Sequence, residues 1–250
     1  MKSDRTVRLI VILGCSFAAL ASDAAASGSA GGPQRACISG RERPPSARGA
    51  AVVAVVRHHA VAYRSPQGTV LARFGRLNVN GFPTVFSVRG LLVDRSCRTR
   101  FLHVQIPKRP NGVTGYIAVS DVRLFRIWTR IEVDKSSRWL KLFRKDQLLL
   151  EVRVAVGTST TPTPVGRFYV NQLLVPRNRS GPYGPGALGI SAFSNVLTGW
   201  AQGGPIAIHG TNEPWSIGKA ASNGCIRVRN HVARRLLRLV PAGTPVVVHP

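Results

Sequence analysis

The chain has 250 residues, 44% of them hydrophobic, enough apolar material for one sizeable core or two modest ones. Its 35 Lys and Arg against 10 Asp and Glu give a formal charge of +25, which favours polyanionic partners and says nothing about fold. The basic residues are scattered through both halves, with no zinc-finger spacing and no RNA-binding aromatic signature. Nucleic acid is therefore not expected as a partner, and anionic polymers or surfaces remain.

At the start, Lys2, Arg5 and Arg8 precede an apolar run from Leu9 to Ala21, and small residues follow as far as Ser27. This is the layout of a signal peptide over residues 1–26, with cleavage near Ala26. The run is too short to span a bilayer comfortably, so no transmembrane segment is expected after cleavage. A competing reading makes Cys15 a lipidated cysteine, but the apolar run continues past it through Phe17, Ala18, Ala19 and Leu20. An exported protein of the cell wall, the periplasm or the extracellular face of the envelope is expected. Residues 27–50, rich in Gly, Ala, Ser, Pro and Arg, read as a flexible leader.

Three cysteines remain after cleavage, an odd number in a compartment that permits disulfides. Connectivity is not fixed by sequence; the natural pair is Cys37 with Cys97, which leaves Cys225 as a free thiol.

Residues 51–125 carry short Val-rich and aromatic runs, AVVAVV, TVFSV and FLHVQI, separated by the turn clusters SPQG, NGF and RPNG. Regular short strands with turns predict a small β-barrel. The passage VQIPKRPNGVTGYIAVSDVRL resembles the end of a bacterial SH3-like domain, which implies either a structural spacer or a wall-binding module. His58 and His59 lack further ligands at metal spacing and read as a solvated pair.

The pattern changes at residues 129–250. TRIEVD, RWLKLF and LLLEVRVAVG alternate apolar and polar positions, and further strands are predicted at 167–174, 206–209 and 245–249. Glycines and prolines predict a loop from Gly181 to Gly189. One clear C-terminal helix is predicted over HVARRLLRLV, with Asn230 as its N-cap and Pro241 beyond its end. This half is mixed but mainly β.

Elimination narrows the chemistry. From Val152 to Pro250 the only acidic side chain is Glu213, so paired-carboxylate sugar hydrolysis is excluded. His209, His231, His249, Glu213 and Cys225 show no HExxH spacing, so no metal is expected, and no cofactor is implied. There is no GxSxG elbow and no phosphate-binding Gly-rich loop. One nucleophile and one base are left. Cys225 lies in the small-residue turn Ser222-Asn223-Gly224-Cys225, with Arg227 supplying positive charge nearby. His209 ends an apolar strand before Gly210 and Thr211, 16 residues ahead of the cysteine. A thiol needs such an imidazole or cation to reach a useful thiolate fraction. The order and spacing are those of neither papain nor caspases.

IHGTNEPWSIGKAASNGCIRV, together with VAVGTSTTPTPVGRFYV, GPYGPGALGI and GTPVVVH, resembles the signature of L,D-transpeptidases with a YkuD-like catalytic domain. The resemblance implies that Cys225 is the acyl-accepting nucleophile and His209 its base. It also implies that Arg227 helps hold the donor stem, with Ser222, Gly224, Gly210 and Thr211 shaping the site. It implies peptidoglycan stem peptides as substrates and three-to-three crosslinks as products. A carboxypeptidase, a transferase that attaches a protein or a free D-amino acid, and a catalytically dead wall-binding protein stand as alternatives. The departure from the pattern is Asn223, where the family usually has His.

Overall fold

A computed structural model describes residue 40, residues 42–45 and residues 49–250. The expected signal peptide, Cys15 and Cys37 lie outside the described residues. The protein is mainly β; the described residues form two eight-stranded sheets, a two-stranded sheet and one α-helix. No helix among the described residues is long and apolar enough to cross a membrane.

The N-terminal sheet comprises β1 (Glu42–Arg43), β2 (Ala51–Val56), β3 (His59–Tyr63), β4 (Val70–Gly75), β5 (Val85–Val93), β6 (Thr99–Gln105), β7 (Thr114–Ala118) and β8 (Val122–Ile127). Its order is β4-β3-β7-β6-β5-β2-β8, with β1 also paired to β5. Glu42 and Arg43, within the expected leader, thus lie against Leu92 and Leu91. Alternation along β2 and β5 drives Val52, Ala54, Phe86 and Val88 into one core with Leu102, Val104 and Ile117. Cys97 is disulfide-bonded.

The second half contributes β9 (Thr129–Asp134), β10 (Trp139–Arg144), β11 (Gln147–Arg153), β12 (Val156–Gly157), β13 (Gly166–Leu174), β14 (Ala187–Phe193), β15 (Pro205–His209), β16 (Ala220–Ser222), β17 (Ile226–Arg227) and β18 (Pro245–His249). The single helix, α1, is Asn230–Leu239. The large sheet runs β11-β10-β9-β18-β13-β14-β15-β17, while β12 pairs with β16. Ile131, Val133, Leu140 and Leu142 fill one face at every second position, and Val232, Ala233 and Leu236 of α1 join the same core.

Two sequence expectations are corrected here. The loop predicted to reach Gly189 ends at Gly186, and β14 begins at Ala187. Gly189 is a glycine because a Cβ there would approach the Gln172 side chain to 2.6 Å; it serves close packing inside a strand. Asn230 is not an N-cap: Arg229 holds that place without a side-chain hydrogen bond. The Asn230 amide oxygen instead accepts from the Thr211 backbone N–H at 2.8 Å.

The two halves share a third core of Val53, Val85, Ile127 and Tyr169, with Ala51, Val55 and Ala242 packed against it. The Tyr169 hydroxyl, fully buried, lies 3.1 Å from the Val85 carbonyl and 3.3 Å from that of Gln105. Elsewhere Arg109 donates to the Gly203 and Ser194 carbonyls. Asn111 completes a two-way pairing with the Phe193 backbone, accepting from its N–H at 2.8 Å and donating to its carbonyl at 2.7 Å.

Candidate active site

β15 and β17 run parallel, with Ile208 opposite Ile226 and His209 opposite Arg227. Ile208 and Ile226 are fully buried in the core. Because side chains alternate along a strand, His209, Arg227 and Cys225 point to the other face. Their neighbourhood is thus a consequence of strand register, as the apolar residues between them decide which way they face.

Cys225 is a free thiol, half-buried. Burial pushes its pKa up; an Ala207 backbone N–H and the Arg227 guanidinium pull the other way. His209 is buried, and desolvation depresses its pKa to about 4. The Arg227 charge acts in the same direction, and a hydrogen bond between Nδ1 and the Gly210 carbonyl opposes both. That bond assigns the proton to Nδ1 and leaves Nε2 as the basic nitrogen. The thiol and the imidazole are therefore both neutral near pH 7.

The Cys225 turn is tightly held. The Ser222 hydroxyl donates to the Cys225 carbonyl and accepts from the Gly224 N–H at 3.2 Å. Gly224 has φ +107°, a conformation closed to ordinary L residues, and a Cβ there would stand 3.1 Å from Ile206. Thr161 donates to the Ser222 carbonyl at 3.2 Å, which ties the turn to the TPTP segment. Asn223, between these held residues, is exposed.

Arg227 is fixed at both ends. Its backbone pairs in both directions with Ala155 at 2.9 Å. Its Nη1 donates to the Glu213 carboxylate, so the sole acidic side chain after Val152 is spent on the cation beside the thiol. Its Nε is buried without a partner. Gly210 and Thr211 line the joint between the His209 strand and α1: a Cβ on Gly210 would meet the Asn230 oxygen at 2.5 Å.

Sequence reasoning did not single out Glu213, Asn230, Ala207 or Thr161 for the site, since each acts through a contact between distant segments. The sequence leaves Tyr183, like Trp200 and Trp215, open between lining a substrate groove and packing in the core. Tyr183 is 52% exposed, and its ring stands edge-on to His209 with centroids 5.0 Å apart. Burial and the neighbouring Cys225 raise its pKa. Trp200 and Trp215 are also exposed, and Lys219 lies over Trp215.

Residues 129–248 match the YkuD family, described as an L,D-transpeptidase catalytic domain. The YkuD protein of Bacillus licheniformis is 39% identical over 123 residues, covering 48% of this chain and 66% of its own. That of Bacillus subtilis is 36% identical over 119 residues, covering 48% and 65%. The chain thus spans just under two thirds of the length of these curated relatives. Among solved structures, an Enterococcus faecium L,D-transpeptidase mutant aligns at 26% identity over 48% of this chain and 49% of its own, with a TM-score of 0.36. The segment that carries Cys225 and His209 thus lies within the residues, 129–248, that match the L,D-transpeptidase catalytic domain.

Proposed function

We propose that the protein is an exported peptidoglycan L,D-transpeptidase that works through a Cys225 thioester. The observation that carries this reading is the register of β15 and β17, which puts the buried, Nδ1-protonated His209 on the same face as Arg227 and the half-buried Cys225. The thiol attacks the carbonyl at the L-centre of the diamino acid in a tetrapeptide stem. The C–S bond forms, the C–N bond to D-alanine breaks, and His209 Nε2 relays the thiol proton to the leaving amine. An amine on a neighbouring stem then attacks the thioester. The new C–N bond replaces C–S, and the proton returns through His209 to the thiolate.

Arg227 is placed to hold the donor stem: its charge lies on the reactive face, and its Nε has a hydrogen bond still to give. Backbone N–H groups of the Cys225 turn supply the oxyanion donors. Tyr183, against His209, forms one wall of the site. Residues 1–26 act as the signal peptide, and Cys37 with Cys97 as the disulfide. The N-terminal half is an SH3-like module that spaces the catalytic half or binds the wall.

The test is incubation of the protein with tetrapeptide muropeptides and mass spectrometry of the products. Crosslinked dimers with release of D-alanine are expected, and no product from Cys225→Ala. D-Alanine release without dimers means that water is the acceptor. Equal product from Cys225→Ala rejects the nucleophile.

A further inference from the structure

The exposed residues of the helix and its cap all carry the same kind of side chain. From Arg229 to Val240, the exposed positions are Arg229, His231, Arg234, Arg235 and Arg238. None of the four arginines takes part in an ion pair among the described residues. Only Arg235 is partly engaged, donating to the Leu149 carbonyl at 3.1 Å. The sole acidic side chain of this part of the sequence, Glu213, is already committed to Arg227.

Helix stability does not account for this face. Arg229 and His231 stand at the positive end of the helix, where cations cost about 0.3–1 kcal/mol each, and the first turn has no acid to offset them. The apolar residues Val232, Ala233 and Leu236 are buried in the core, so the helix has no apolar stripe left to insert into a bilayer. What remains outside is a row of basic side chains, His231, Arg234, Arg235 and Arg238, whose Cβ atoms stand about 5–6 Å apart along successive turns. Such a row fits a chain that carries an anion on every repeat, and the guanidinium fork matches phosphate oxygens two at a time. The helix packs on β14 and β15 through the core side of the sheet, whereas Cys225 and His209 face the other way.

We propose that the outer face of α1, through Arg234, Arg235 and Arg238, is a docking surface for a linear phosphate-bearing polymer. A chain bound there leaves the face of Cys225 open. This goes beyond the proposed reaction and does not require it.

The full chain is titrated with long-chain inorganic polyphosphate across a salt series, beside the triple variant R234Q/R235Q/R238Q. A control variant, R73Q/R123Q/R126Q, removes the same charge from exposed positions of the N-terminal sheet. The helix variant is expected to bind at least tenfold more weakly at about 0.1 M salt, with its log–log salt slope reduced by about 2, since each neutralised phosphate contributes roughly 0.7. The control is expected to stay within twofold of the parent. Equal weakening in both variants would mean diffuse attraction to net charge, and no weakening in the helix variant would place binding elsewhere; either overturns the proposal. Binding to phosphatidylglycerol vesicles without binding to polyphosphate overturns it in favour of a membrane surface.

Discussion

His209 combines two properties that set its chemistry: it is buried, and its Nδ1 proton is committed to the Gly210 carbonyl. With its pKa depressed to about 4, the imidazole is neutral, with Nε2 ready to accept a proton, from about pH 5 upward. Acylation of Cys225 should therefore be level between about pH 5.5 and 8 and fall on an acid limb near pH 4. A stopped-flow pH profile checks this, and a limb near 6.5 would show a solvated imidazole. The same shift is a stability statement. Between about pH 6.5 and 4 the unfolded chain binds the proton that the folded one refuses, so stability is lost as pH falls through that window, by about 3 kcal/mol from this group. Cys225 and His209 were legible in sequence because each sits in a short local motif. The pairing of Glu213 with Arg227 and the placement of Tyr183 against His209 were not, because loop geometry decides them.

At the scale of elements, the joint between β15 and α1 positions His209. Asn230 stands at the first helical position and fastens the Thr211 N–H, which holds the residues following His209 against the helix. The close approaches of Gly184 and Gly210 to the same Asn230 oxygen leave no room for slack. Asn230→Ala should leave a buried N–H unpaired and cost about 1–3 kcal/mol in thermal or denaturant unfolding. Its acylation rate should fall further than that of a control substitution on the outer helix face. Sequence periodicity placed the β9–β11 meander and the span of α1, since both follow strong apolar patterns. It misread Asn230 as a cap because the residue type suits both uses, and it lost the start of β14 because glycine marks close packing as well as turns.

At the scale of the molecule, the halves are joined by a core of their own, which no local pattern in the sequence announced. Tyr169 lies on β13, inside the second half, yet its hydroxyl reaches carbonyls of the first half, and Gly243 packs directly against Val53. Arg109 and Asn111 grip the backbone around Phe193–Gly204, the connection that leads into the His209 strand. The N-terminal sheet thus braces the segment that leads into the His209 strand. Unfolding should follow a single transition, and Tyr169→Phe, which removes the hydroxyl donor shared by two carbonyls of the first half, should lower stability by about 1–2 kcal/mol in denaturant melts.

The central claim is that Cys225 is a reactive thiol served by His209. Intact-mass spectrometry after incubation with a carbapenem tests it without any natural substrate. The account predicts one adduct of the drug's mass on the parent protein, slow formation in His209→Gln, and none in Cys225→Ala. An unmodified parent protein, or an adduct that survives Cys225→Ala, would contradict it.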